Sequence, residues 1–153
     1  MLVFTHSLGP VAVKQMTEIM HPEKYEYFNQ LRGWLVIAAA GVLPDVLTPH
    51  ITLGDRYNSF SHTWVFTGIF VGCCILCSAI LFRKNYRSIP LWCAAAYLLH
   101  LAEDLISGGI DFFSTGHVIG DYYVSPIYWP LIDLYIVVIV ILLDRKIRKQ
   151  HKI

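Results

Sequence analysis

The 153-residue sequence is 56% hydrophobic and only 15% charged, with a mean hydropathy of +0.52. Soluble domains carry charges on about a quarter of their residues, so this composition excludes an ordinary soluble domain and predicts an integral membrane protein. The formal net charge of +1 points to no particular class of partner.

The first apolar segment, residues 5–20, is also the most ambiguous. It is moderately hydrophobic, but Lys14 and Glu18 lie in its second half. It is either a surface helix or a short membrane crossing in which Lys14 extends along the helix to reach the membrane surface. It lacks the basic start, clean apolar core and small-residue cleavage site of a removable signal peptide.

Four longer apolar segments follow, and each approaches the length of about 20 residues that a helix needs to cross a bilayer. They are Gly33 to Pro49, Thr63 to Phe82, Ile89 to Phe113 and Ile127 to Leu143. We therefore expect an all-α fold in which residues 1–153 form one integral membrane helical bundle. Four of its transmembrane helices are clear, and the short N-terminal segment is a candidate fifth.

Basic residues predict the orientation of this bundle, because cytoplasmic loops carry an excess of lysine and arginine. Arg83, Lys84 and Arg87 separate the second and third spans, and residues 144–153 form a basic tail. Both segments should be cytoplasmic. Residues 48–62 and 114–126 together contain a single lysine or arginine, Arg56, and should therefore lie outside. We interpret the tail as a topological anchor at the lipid headgroups and expect no nucleic-acid partner.

The four cysteines lie within the predicted spans. Cys73, Cys74 and Cys77 form a C-C-x-x-C cluster, and Cys93 lies on the next span. Thiolates in such spacing can bind soft metals, but in lipid-embedded helices cysteines pack as small apolar residues. We predict packing, and no disulfides.

The third span carries a polar stripe. His100, Asp104, Ser107 and Asp111 are spaced by four, three and four residues, which places them on one face of a helix; Glu103 flanks them. Ionisable groups are costly in hydrocarbon and usually face a bundle interior or a wet cavity. Imidazole and carboxylate one turn apart suit a borderline divalent metal.

Two further candidate ligands lie at the outer ends of neighbouring spans. Asp45 follows Pro44, which we expect to break its helix, and His62 opens the next span. In the predicted topology both residues approach the outer part of the His100 stripe. Their convergence favours a metal site over three separate structural roles.

These residues resemble the marks of a known family. The sequence reads "TH" near its start, "LPD" after an apolar span, "SHT" before the next, and H-x-x-x-D followed by Ser-Gly-Gly. In this order the motifs are similar to those of bacterial inner-membrane metal-dependent hydrolases of the YdjM type. The resemblance, over roughly residues 5–126, implicates as metal ligands His6, Asp45, His62, His100 and Asp104. It also implies that His6 lies outside, which makes residues 5–20 a fifth crossing with the N-terminus outside and the C-terminus cytoplasmic.

The sequence also departs from the family pattern. Leu47 stands where the family has a second carboxylate, and Tyr57 to Ser59 replace its His-Arg-Gly, with Arg56 displaced. Possible substitutes are His50, Asp55, His117 and Asp121, the last two as an i, i+4 pair if their loop is helical. A mononuclear site, a rearranged binuclear site and a non-catalytic relic all remain open.

The resemblance implies a membrane-bound metal-dependent hydrolase acting at the extracytoplasmic interface of the bacterial inner membrane. We expect a divalent ion, most simply zinc, with Glu103 or Asp111 as the catalytic base. We expect the protein to contact membrane lipid, and we expect its substrate to be a lipid phosphoester. Nothing in the sequence indicates a protein partner. The alternative is a metal-binding accessory or interaction protein without turnover.

Overall fold

The computed structural model describes residues 3–22, 27–49, 52–80, 88–121 and 123–151, and within these ranges the chain is helical apart from loops and one isolated β-bridge. Five long helices and one short helix make up the fold. They are α1 (Val3–Met20), α2 (Tyr27–Leu47), α3 (Leu53–Tyr57), α4 (Trp64–Ile80), α5 (Ser88–Ile106) and α6 (Trp129–His151), with 3₁₀ turns at Phe60–His62 and Pro126–Tyr128. The all-α prediction is confirmed.

The long helices alternate in direction, so that all five have one end at the same pole of the bundle. Thr5 in the first turns of α1 donates two hydrogen bonds to Asp133 of α6, both of 2.8 Å. His6 lies 3.5 Å from Asp45 near the C-terminal end of α2 and 3.5 Å from Glu103 near that of α5. Helix α4 starts at this pole as well, directly after His62. The pole therefore gathers the ends of elements that are far apart in sequence.

Helix α1 is a member of the bundle and packs against α2, α5 and α6. The predicted extension of Lys14 to the membrane surface is wrong: Lys14 is buried and forms an ion pair with Glu18 one turn on, which is also buried. Its ammonium lies 6.0 Å from the ring centre of Trp92. An inward-facing pair satisfies both charges without exposing either to hydrocarbon.

Small residues allow the helices to approach closely in the core. Ala12, Ala40, Ala94 and Ala96 are buried between the helices, together with Cys74 and Cys93, and such residues are typical of helix contacts in membranes. All four cysteines are free, as predicted. They line one apolar cleft of about 420 Å³ between α2, α4 and α5.

Among the described residues, only two of the predicted membrane spans are both long enough and apolar enough to cross a bilayer. They are Ser88–Ile106 and Pro126–Gln150, whereas Gly33–Leu47 and Trp64–Ile80 are apolar but shorter. Helix α2 is 21 residues long, but its first turns read YFNQLR, and the predicted span from Thr63 continues past Ile80 into residues outside the described ranges. The two long segments are fewer than the four or five predicted by counting apolar runs.

The third predicted span is too long at its C-terminal end. Helix α5 stops at Ile106, and residues 107–121 form a loop that folds back through a bridge between Ile110 and Ile119. Gly109 has φ of +83°, a conformation that suits glycine and ends the helix. Asp111 consequently leaves the polar stripe, and the residues around His117 are not helical.

The outer surface of α6 is strongly apolar. Its exposed side chains include Leu131, Leu134, Val138, Ile141 and Leu142, and they form a continuous face along the helix. A face of this kind is unfavourable in water and indicates contact with lipid or another protein.

Candidate metal centre

Four side chains at the shared pole converge on one point. Asp45, His62, His100 and Asp104 each offer one ligand atom, and these four atoms all lie within 4.8 Å of one another. The two histidines and Asp104 are at most 1% exposed, whereas Asp45 is 14% exposed. Within the described ranges, no other group of three or more His, Cys, Asp or Glu side chains brings all its ligand atoms within 4.8 Å of one another.

The spacing of these atoms matches a tetrahedral ion. Four ligands at about 2.0 to 2.1 Å from zinc lie about 3.3 to 3.4 Å from each other. The Nε2 atoms of His62 and His100 are 3.2 Å apart; Asp104 Oδ2 lies 3.0 Å and 3.3 Å from them. Asp45 Oδ1 lies 3.7 Å and 3.4 Å from the same two nitrogens. These five distances are therefore close to the length that the edges of a tetrahedron around zinc require. Two imidazole nitrogens and two carboxylate oxygens also suit a borderline divalent ion.

The two carboxylate oxygens of Asp104 contact different groups of side chains, so Asp104 joins these groups to each other. Its Oδ2 approaches the two ligand histidines. Its Oδ1 lies 3.2 Å from Nη1 of Arg56, which is 1% exposed, and 3.7 Å from His6 Nε2. The i, i+4 spacing of His100 and Asp104 on α5 produces this arrangement directly.

His62 is held in place by a network of hydroxyl groups. Its Nδ1 is 2.7 Å from Ser59 Oγ, which leaves Nε2 to face the centre. Ser61 donates a 2.7 Å hydrogen bond to the carbonyl of Pro44, and Tyr97 donates one to the carbonyl of Ser61. Burial lowers the pKa of His62, and the neutral ring is the form that ligates metals.

Asp45 is placed by a helix that does not break. The predicted break at Pro44 is wrong, because α2 continues to Leu47. The carbonyl of Pro44 instead accepts hydrogen bonds from the backbone and side chain of Thr48 and from Ser61. The C-terminal end of α2 is thus hydrogen-bonded to the 3₁₀ turn that contains His62.

His6 reaches the centre but approaches it from outside the tetrahedral set. Its Nδ1 lies 3.5 Å from Asp45 Oδ2, the oxygen opposite the one that faces His62 and His100. Its Nε2 is buried without a hydrogen bond and faces Glu103 Oε2 at 3.5 Å. Its ring centre is 4.2 Å from that of His100. His6 therefore contacts the carboxylates of the centre rather than completing the group of four.

Of the two candidate bases, Glu103 lies close to the cluster, next to His6, whereas Asp111 does not. Glu103 is 17% exposed and lies beside Gly9, where a Cβ would be 3.1 Å from Glu103 Oε1. Asp111 lies in the loop after α5, where its carboxylate accepts backbone N–H groups of Thr115 and Gly116. The structure brings Glu103, but not Asp111, to the cluster.

Of the four possible substitute ligands, the three that lie in the described residues are not brought to the cluster either. Asp55 forms a capping box with Thr52 at the start of α3. His117 and Asp121 are exposed in the loop after α5. His50 lies outside the described residues.

Sequence reasoning missed two residues that shape the centre. Arg56 appeared only as a displaced arginine in an outer segment, yet its side chain reaches Asp104 across 48 positions of the chain. Gly41 gave no signal except its spacing of one helical turn before Asp45. A Cβ at Gly41 would lie 2.2 Å from the backbone oxygen of His6, so this glycine permits the contact of α1 with α2 that brings His6 to Asp45.

Replacing Gly41 with alanine should displace His6. The added methyl group would meet backbone atoms, which cannot rotate away, and overpacking of this kind costs about 1 to 3 kcal/mol. We expect a lower melting temperature and about tenfold weaker zinc binding, as for other residues that orient ligands. Thermal unfolding and zinc titration in detergent would measure both. Gly72→Ala on α4 is the matched control, because nothing lies within 4 Å of its Cβ position; equal effects of the two changes would contradict the role of Gly41.

A family model for the YdjM inner membrane protein matches residues 1–148. Comparison with curated proteins and with solved structures gave no match.

Proposed function

Because the chain belongs to the YdjM inner membrane protein family, we propose that it is a membrane-bound metal-dependent hydrolase acting on a lipid phosphoester at the extracytoplasmic surface. The tetrahedral convergence of two imidazoles and two carboxylates is the observation that carries the proposal. The residues that would hold the ion are Asp45, His62, His100 and Asp104.

We propose distinct tasks for the residues around such an ion. A divalent ion held by Asp45, His62, His100 and Asp104 would supply Lewis-acid chemistry for activating water and a phosphoryl oxygen. Asp45 and Glu103 are the members of the centre with appreciable exposure, so water and substrate enter on their side. Glu103 accepts the proton of the attacking water as general base. His6, between these two carboxylates, orients both.

The position of the centre in the bundle supports the proposed substrate class. The cluster lies at one pole of the helices, and α6 at this pole presents an exposed apolar surface that includes Leu131 and Leu134. A centre at the end of a lipid-facing helix is within reach of headgroups. A divalent ion combined with a carboxylate base can polarise a phosphoryl oxygen and activate water, and headgroup phosphoesters are the bonds of this kind at that depth.

We propose five crossings, with the N-terminus outside and the C-terminal tail in the cytoplasm. At about 1.5 Å per residue, the 18 residues of α1 and the 17 residues of α4 nearly match a hydrocarbon core of about 30 Å. The alternation of the five long helices supports an odd number of crossings. The basic tail after Leu143 supports a cytoplasmic C-terminus.

The second candidate function is metal binding without turnover. Zinc sites with four protein ligands are commonly structural, whereas catalytic sites use three and leave a position for water. The group of four at this pole favours that alternative. Catalysis requires a fifth position, or release of Asp45, the exposed member of the set.

Metal analysis followed by a substrate panel tests the proposal and separates the two functions. We expect purified full-length protein to contain zinc and to hydrolyse a phosphatidic acid or phosphatidylglycerol phosphate analogue in mixed micelles. Chelation should abolish turnover and added zinc should restore it. Bound metal with no turnover of any phosphoester or carboxylester lipid would support the accessory role, and protein without affinity for zinc or any other divalent ion would exclude both functions.

Cysteine labelling in whole cells tests the orientation. In a background without the four native cysteines, Thr115→Cys in the loop after α5 should react with a membrane-impermeant maleimide. Lys149→Cys in the tail should react only after the membrane is permeabilised. Both positions lie outside the proposed spans, and labelling in the reverse order would move the metal centre to the cytoplasmic surface.

A further inference from the structure

The carboxylate of Asp104 connects two positions that could each hold a positive charge. Its Oδ2 belongs to the tetrahedral set. Its Oδ1 faces a second group formed with His6 Nε2 and Glu103 Oε2, which lie 3.5 Å apart. A carboxylate shared in this manner is typical of centres with two metal ions. Here, however, the guanidinium of Arg56 already lies 3.2 Å from Oδ1.

We propose that the centre holds a single metal ion and that Arg56 supplies the second positive charge in place of a second ion. The inference rests on the proposed metal centre but not on catalysis. Of the alternatives that the sequence left open, the proposal corresponds to a mononuclear site, with an arginine at the second position.

Three properties of Arg56 support this assignment. The guanidinium of an arginine carries a full positive charge. Its side chain is 1% exposed, so water screens the charge little. Its Nη1 contacts both the side chain and, at 3.5 Å, the backbone oxygen of Asp104, which fixes the guanidinium against the end of α5.

A second divalent ion would give the buried centre more positive than negative charge. Asp45, Glu103 and Asp104 contribute at most three negative charges. One divalent ion and Arg56 already supply three positive charges, whereas two ions and Arg56 would supply five. Excess charge in a poorly screened interior is strongly unfavourable. An ion bound to Asp104 Oδ1 would also lie within roughly 5 Å of the guanidinium, given ligand distances of about 2.0 to 2.2 Å.

The position of Arg56 in the chain fits this role. It lies on α3, whose start is closed by the capping box of Thr52 and Asp55. The next residue, Tyr57, donates a 2.9 Å hydrogen bond from its hydroxyl to the carbonyl of Gly108, just beyond α5. The segment that carries Arg56 is thus attached at both ends, which holds the arginine side chain against Asp104.

Zinc stoichiometry of the full-length, tag-free protein tests the inference without reference to activity. Each variant is equilibrated with excess zinc in detergent, freed of loosely bound ions, and analysed by elemental and native mass spectrometry. We expect one zinc per chain in the wild type and in Arg56→Lys, which keeps the charge. Arg56→Gln should bind a second, weaker zinc, because His6, Glu103 and Asp104 then lack a cation. Adding His6→Ala to Arg56→Gln should return the number to one.

Arg148→Gln is the matched control, because Arg148 pairs with Asp144 in the tail and is half-exposed; it should keep one zinc. Two zinc ions in the wild type, or one in both the wild type and Arg56→Gln, would overturn the inference. If Arg56→Gln does not fold, the wild-type number decides: one supports the inference and two refutes it. No zinc in any variant would instead remove the metal centre itself, so the two failures are distinguishable.

Discussion

Asp104→Asn should abolish zinc binding, with a loss of affinity greater than about 100-fold. Residues that merely orient ligands account for about 10- to 100-fold, and Asp104 both belongs to the tetrahedral set and connects it to Arg56. Asparagine has nearly the same shape but removes the negative charge. It also places an NH₂ group among nitrogen donors or beside the guanidinium. Competition titration with a chromogenic zinc chelator would measure the change.

The same substitution should also lower stability. Removing one partner of a buried ion pair leaves the other uncompensated, at a cost of about 3 to 5 kcal/mol, and Arg56 would be that partner. Melting of the zinc-free protein would report this effect independently of metal binding. Asp144→Asn is the control, since Asp144 forms an exposed i, i+4 pair with Arg148. Unchanged zinc affinity in Asp104→Asn would eliminate the centre as described.

Local patterns in the sequence predicted the parts of the centre that lie on one element. His100 and Asp104 are one helical turn apart, and this spacing alone places both on one face of α5. The cost of ionisable groups in a membrane then predicted that the face points inward. Asp45 and His62 were predicted from topology, because helix ends that share one side of a membrane lie close together. In the structure the ligand atoms of these four residues lie within 4.8 Å of one another.

Contacts between distant elements could not be predicted in the same manner. Arg56 reaches Asp104 because α3 folds over the end of α5, and no periodicity within residues 52–58 encodes that contact. Lys14 and Glu18 indicated a surface-facing end of α1, yet they neutralise each other inside the bundle. The end of α5 was placed too late, because an apolar run continues through Ile110 although Gly108 and Gly109, both with positive φ, end the helix. Hydropathy measures the length of an apolar run and not the conformation of its backbone.

Glu103→Gln should reduce turnover by about 100- to 10,000-fold, the range by which a positioned general base accelerates a reaction. Glu103 is next to Asp104 in sequence but points to a different partner, His6, at 3.5 Å. It is partly exposed, unlike the fully buried Asp104, so water can reach it. Glutamine preserves the size and the contact with His6 but cannot accept a proton.

The zinc content of Glu103→Gln distinguishes a base from a ligand. Because Glu103 is outside the tetrahedral set, zinc affinity should change by less than about tenfold, the lower limit for lost orienting partners, while turnover falls much further. Asp111→Asn is the decisive control, because Asp111 was the other candidate base and its carboxylate binds its own loop; this variant should keep its activity. Full activity in Glu103→Gln together with loss in Asp111→Asn would transfer the role to Asp111 and require the loop after α5 to close over the centre. Loss of zinc and turnover together in Glu103→Gln would make Glu103 a ligand, and the ion would then lie on the His6 side of Asp104.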